Sequence, residues 1–194
     1  MPADSPRKTK RDDLIEIASA LFYEQGFGAT GIKQIIDTAG IAKGTFYSHF
    51  ESKEEVGLEW LRKRHGVWNS WLQTELDKAK SPKGKVLGLF DFLEKWMSES
   101  DFRGCAFLNT LAEVPDPDHP MRHEIAKHKS GLQEAIQGLA AEHFAGKTSA
   151  FAKQKGSVIF LLFEGALVET QNFRDTWPIN AARKEVKGML SAGS

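Results

Sequence analysis

The chain has 194 residues, 26 Lys and Arg against 26 Asp and Glu, and one cysteine. That length buries a real core in one or two domains, while the balanced charge excludes a protein that coats nucleic acid by charge alone. The lone Cys105 excludes an intramolecular disulfide framework and points to a reducing compartment. The longest unbroken apolar run, Val158 to Phe163, is six residues, far below a membrane span. The first residues also lack the apolar stretch of a secretory signal. A soluble, cytoplasmic protein with no membrane partner is expected.

Helical spacing dominates, and nothing reads as a strand. The first ten residues read as a disordered, basic arm. Leu14, Ile17, Ala18, Leu21 and Phe22 then form one apolar stripe on a first helix that ends at Gly26 and Gly28. Ile32, Ile35, Ile36 and Ala39 repeat the pattern on a short second helix, with Thr30 as its N-cap. Gly40 breaks that helix, and a third runs from Lys43 to about His49. A long helix starts near Ser52 and carries Leu61, His65, Trp68, Leu72 and Leu76, with Ser81-Pro82 closing it. Val86, Leu89, Phe90, Leu93, Trp96 and Met97 mark another. After a short segment from Gly104 to Val114 and a Pro-Asp loop, helices follow over about 120–144, 149–173 and 179–190. The fold class is all-α.

Within the first lobe stand Thr30-Gly31-Ile32-Lys33-Gln34-Ile35-Ile36, then Ala39-Gly40-Ile41, then Lys43-Gly44-Thr45-Phe46-Tyr47-Ser48-His49-Phe50 and Ser52-Lys53. Physically this is helix, glycine turn, helix, with a short, polar-tipped second member that suits the DNA major groove. Gly44 leaves the backbone free for close approach, and Thr45 offers a hydroxyl and a methyl for a thymine contact. Tyr47 and His49 have donors that reach flanking phosphates, while Phe46 and Phe50 anchor the helix from its other edge. The cluster Arg7-Lys8-Thr9-Lys10-Arg11 reads either as an arm that tracks phosphate or as a solvated tail.

This ordered string resembles the DNA-binding domain of the tetracycline-repressor (TetR) family of bacterial transcriptional regulators. The resemblance implies that Thr30, Tyr47, His49 and Lys53 hold phosphates and that Lys33, Lys43, Gly44 and Thr45 lie nearest the bases. Two positions depart from the family pattern. Ala42 and Gly31 stand where hydroxyl residues are common, which removes a cap worth about 1 kcal/mol and possible phosphate contacts. By the same resemblance, residues 1–51 are a helix-turn-helix DNA-binding domain and residues 52–194 an effector-binding and dimerisation domain.

The second region is rich in large aromatics, of which Trp68, Phe92, Trp96 and Phe163 are candidates to line an apolar effector pocket. Cys105, Asn109 and Glu113 fall at i, i+4 and i+8, so on one helix they share a face that offers a thiol, an amide and a carboxylate. That face reads either as part of the pocket or as an ordinary buried cysteine beside surface groups, and a responsive thiol is a further alternative. His119 and His123, also i and i+4, leave a metal-responsive reading open, although no metal site and no cofactor are assigned. Nothing here forms a strand-turn-helix nucleophile or a phosphate loop, so a cysteine-dependent enzyme is the weakest reading.

The stretch Val158–Val168 is apolar nearly all round, and Gly165 and Ala166 permit close approach of a second helix. We expect a homodimer through the last two helices, a palindromic double-stranded DNA operator and release by a partly apolar small-molecule effector. Partition also refines the neutral total. Residues 1–11 carry four cations against one anion, and residues 99–118 carry five anions against one cation. A basic DNA end and an acidic effector end are hidden in the sum.

Overall fold

The structure, a computed structural model, describes residues 9–192, all of whose regular elements are helices. They are α1 (Lys10–Gln25), α2 (Ile32–Ala39), α3 (Lys43–Tyr47), α4 (Lys53–Leu76), α5 (Pro82–Glu99), α6 (Ala106–Glu113), α7 (Pro120–His143), α8 (Ser149–Phe173) and α9 (Trp177–Ala192). No helix among the described residues is long and apolar enough to cross a membrane.

Local chemistry explains most boundaries, and it corrects several expectations. Thr9 caps α1 reciprocally with Asp12: the Asp12 N–H donates to Thr9 Oγ1 at 3.2 Å and the Thr9 N–H donates to the Asp12 carboxylate at 3.0 Å. These bonds from Thr9 also hold the Asp12 carboxyl below its usual range. Thr9, Lys10 and Arg11 therefore belong to a capped helix and not to a loose arm; the rest of the expected arm, Met1 to Lys8, lies outside the described residues. Thr30 does not cap α2. Gly31 takes that place without a side-chain bond, and the Thr30 hydroxyl donates instead to the Gly26 carbonyl at 2.8 Å. At the other end of α2, Gly40 adopts the left-handed conformation, φ 62°, and its N–H closes on the Ile36 and Asp37 carbonyls, a position that favours glycine.

Ser81-Pro82 opens a helix where the sequence suggested a stop. Ser81 accepts from the Gly84 N–H at 3.1 Å and Pro82 begins α5, the position where a missing N–H costs nothing; α4 has already ended at Leu76. Pro178 likewise lies inside the first turn of α9, so the break before that helix falls earlier than Trp177-Pro178.

The chain forms two compact units. One takes the residues up to Arg64 together with Ala106–Ile125; the other takes His65–Cys105 and Ala126 onward. In the first, α1, α2 and α3 pack around Phe22, Ile35, Phe46, Phe50 and Trp60, all almost fully buried. Phe22 lies 5.1 Å from the Phe27 ring and 5.3 Å from Trp60, centroid to centroid. In the second, α5, α8 and α9 pack on one another, with Phe90 and Phe163 in ring contact at 6.1 Å.

Candidate functional site

The first unit presents α3 on a rigid base. Phe46 and Phe50 are buried, with ring centroids 5.9 Å apart, so the helix cannot roll without opening the core. Its other edge is free: Lys43, Gly44 and Tyr47 are exposed and Thr45 and His49 are half-buried. The Lys43 ammonium lies 5.8 Å from the centre of the Tyr47 ring. Just past the helix, Tyr47, Ser48, His49, Phe50, Glu51, Ser52 and Glu55 line an open cleft of about 510 Å³. The amides of Ser48, His49, Phe50 and Glu51 are already donated within the fold, which leaves the Tyr47 hydroxyl and the His49 imidazole as side-chain donors at this ridge, of the kind that phosphate contacts use.

Three expected contact residues are engaged elsewhere. Thr30 is buried and its hydroxyl is bonded to Gly26, so its side chain is turned into the fold and not toward a phosphate. Lys53 donates to the Phe27 carbonyl at 3.1 Å and lies 4.3 Å from that ring's centre; an ammonium has three donors, so this steadies the group without exhausting it. Lys33 is exposed and pairs with Asp37 at 2.5 Å. Arg11 packs over the Phe50 ring at 4.7 Å and lies within 3.5 Å of Glu59, which ties it to the unit.

The expected face Cys105–Asn109–Glu113 does not form. Cys105 precedes α6 and is buried in the second unit, whereas Asn109 and Glu113 lie on α6 in the first. The Glu113 carboxylate accepts from the backbone N–H of Gly28. A Cβ built at Gly26 would come within 2.8 Å of Glu113 Oε1, and Gly26 has φ 103°, so only glycine leaves that turn open. His119 is used locally, its Nδ1 accepting from the Met121 N–H at 3.2 Å. Among the described residues no three potential metal-ligating side chains cluster.

The aromatic candidates of the second unit do gather. Trp68 on α4 meets Phe92 and Trp96 on α5 edge to face, at 5.4 and 5.9 Å between centroids, and Phe92 stacks on Trp96 at 6.0 Å. Phe163 is buried beside Phe90, a separate contact of the core. Sequence reasoning missed the polar partner of this cluster. His128 on α7 is buried 5.0 Å from the Trp68 ring, and its Nδ1 lies 2.9 Å from Nδ1 of His65, whose Nε2 lies 2.9 Å from Asn69 Nδ2. One histidine nitrogen must donate and the other accept, so the pair shares a proton. Burial first, then Lys129 and His65, push the His128 imidazole down to about 3. The signal was available: His65 sits on the apolar stripe of α4, and His128 shares spacing with Ile125 and Leu132.

This is a helix-turn-helix fold with a second helical unit, an architecture of DNA-binding regulators. Residues 14–59 match the family described as bacterial regulatory proteins, tetR family. Over 190 residues, 93% of this chain and 94% of the relative, the chain is 25% identical to the HTH-type transcriptional repressor NemR of Escherichia coli strain K12. It is 40% identical over 96 residues, 46% of this chain and 45% of the relative, to the HTH-type transcriptional repressor KstR2 of Mycolicibacterium smegmatis. Among solved structures, the TetR-family regulator SCO4454 of Streptomyces coelicolor superposes with a TM-score of 0.85 at 25% identity, covering 95% of this chain and 96% of that one. The reduced form of E. coli NemR does so with a TM-score of 0.77 at 22% identity, covering 93% and 97%. Residues 14–59 thus match the TetR family, and the relatives and solved structures support a TetR-family transcriptional regulator over the length of the chain.

Proposed function

We propose that the protein is a cytoplasmic, homodimeric repressor that grips a palindromic operator with two copies of α3 and lets go when a small effector binds. Residues 1–51 serve as the DNA-binding domain and residues 52–194 as the effector-binding and dimerisation domain. The observation that carries this reading is the exposed Lys43–Gly44–Tyr47 edge of α3 above the buried Phe46 and Phe50. Lys43, Gly44 and Thr45, with Lys33 on α2, face the bases; Tyr47, His49 and Lys53 take phosphates.

The dimer reading is supported by α8, whose Val158, Leu161 and Val168 are exposed at helical spacing with the exposed Gly165 among them. Apolar side chains in one exposed stripe are a surface in need of cover. Two such faces, with α9 beside them, suit an isologous two-fold interface that sets the two α3 helices one DNA turn apart. The effector reading is supported by the Trp68–Phe92–Trp96 cluster. An effector shifts DNA affinity only as far as it binds the two states unequally. A thiol-responsive alternative requires Cys105 to be reached by reagent, and this thiol is 3% exposed.

Footprinting of the purified protein on the DNA upstream of its own gene tests the reading. The expected result is a protected, inverted repeat with half-sites about one helical turn apart. Equal binding to random and upstream DNA would overturn it.

A further inference from the structure

Three buried side-chain polar atoms in the second unit have no hydrogen-bond partner among the described residues: Oγ1 of Thr170, and two indole donors, Nε1 of Trp68, 4% exposed, and Nε1 of Trp96, 6% exposed. An indole N–H can only donate, and leaving one buried and unbonded is costly. The two rings meet edge to face, 5.9 Å apart between centroids, so both orphaned donors belong to one aromatic cluster. Phe92 is in ring contact with both indoles, and His128 meets the Trp68 ring edge to face at 5.0 Å.

Lys129, which acts on the His128 imidazole, is already paired. Lys129 donates to both carboxylate oxygens of Glu164, at 2.8 and 2.6 Å. His65 and His128 face each other nitrogen to nitrogen and share a proton at 2.9 Å. Burial disfavours the cationic form of His128 further. An anion brought among these rings would draw on groups already committed to one another, and burying it so is expensive.

We propose that this cluster takes an uncharged, planar, apolar effector through neutral acceptor oxygens, of the ketone, lactone or ester class, with the Trp68 and Trp96 N–H groups as donors. The proposal rests on the effector-binding reading of this unit and adds the chemistry of what enters it. An acid of the same shape is rejected; a hydrocarbon of that shape forfeits the hydrogen bonds.

Calorimetric titration of the full chain with three bicyclic probes tests this. Coumarin carries a lactone, naphthalene has the same outline and no acceptor, and coumarin-3-carboxylate adds a negative charge. Coumarin is expected to bind about tenfold more tightly than naphthalene and than the carboxylate, the worth of about one good buried hydrogen bond. Trp96→Phe, and independently Trp68→Phe, should erase the preference for coumarin over naphthalene while leaving naphthalene within about twofold. Should either variant fail to fold, the other variant and the ranking by the unmodified protein still decide. Equal binding of coumarin and naphthalene, tighter binding of the carboxylate, or no heat from coumarin up to its solubility limit would overturn the proposal and leave water as the partner of the indoles. Release of upstream DNA is measured in parallel. Coumarin that binds with the expected ranking but does not alter DNA affinity refutes the effector reading and leaves the ligand chemistry standing.

Discussion

The carboxylate of Glu113, at the end of α6, accepts a hydrogen bond from the backbone N–H of Gly28, 85 residues earlier in the chain. The bond closes the turn between α1 and α2 from outside. Glu113→Ala should lower the melting temperature by about 2–4 °C, corresponding to about 1 kcal/mol for a solvent-accessible, charge-assisted bond in a chain of this size. Glu113→Gln should fall between. Hydrogen exchange at Gly28 reads the bond directly: an exchange rate unaltered by Glu113→Ala would show that the amide is not held there.

The two glycines inside α4 should respond in opposite ways. A Cβ at Gly57 would lie 2.7 Å from the Phe27 ring and 3.0 Å from Met121 Cε, whereas nothing lies within 4 Å of one at Gly66. Gly57→Ala is expected to destabilise by about 1–3 kcal/mol through overpacking. Gly66→Ala should stabilise by up to about 1 kcal/mol through helix propensity. Urea unfolding of the two variants checks the pair; a stabilising Gly57→Ala would mean that α4 does not pass this close to Phe27.

Stability should fall on mild acidification. His128 holds its proton less tightly when folded, at about 3, than when unfolded, at about 6.5. The unfolded chain therefore takes up the proton first, so this contribution is fully present above pH 6.5 and drains away as pH drops toward 3. By pH 5 the loss is about 2 kcal/mol. His128→Gln should flatten the stability curve between pH 7 and pH 5, and an unchanged slope would place the acid sensitivity elsewhere.

At the DNA-facing ridge, Tyr47 is 45% exposed, so Tyr47→Ala should leave the melting temperature alone while weakening DNA several-fold. Lys53→Ala should weaken DNA too, at some cost in stability, because the ammonium is bonded to the Phe27 carbonyl. Removing the Lys53 charge from a phosphate should lower the slope of log affinity against log salt by about 0.9. Wild-type affinity in both variants, with an unaltered slope for Lys53→Ala, would remove these residues from the interface.

Leu161, 66% exposed on α8, tests the dimer. Leu161→Glu should shift sedimentation at micromolar concentration from dimer to monomer and lower operator affinity with it, since each half-site would then be bound singly. A sedimentation profile indifferent to the charge would move the interface off this stripe.

The helices and the motif of α2 and α3 were legible because both are written in short-range order. An apolar residue every third or fourth position makes a face, and the string from Lys43 to Phe50 needs no partner elsewhere to be recognised. Bounds of α7 and α8 follow closely from such patterns. The misreadings share one cause. Thr30 and Ser81 are both good capping residues by type, but only the path of the chain decides that the Thr30 hydroxyl meets Gly26 and that Ser81 begins a helix.

Long-range pairing was not legible at all. Cys105, Asn109 and Glu113 have helical spacing, yet α6 starts after Cys105 and the three divide between two compact units. His65 and His128, 63 residues apart, become one proton-sharing pair beside Trp68 only when α4 and α7 pack. By itself the sequence determined an all-helical regulator with a DNA-reading motif and a charge balance that forbids binding by charge alone. Tertiary structure decided which polar groups are spent on the fold and which stay available, because that depends on neighbours distant in sequence whose approach no local periodicity encodes.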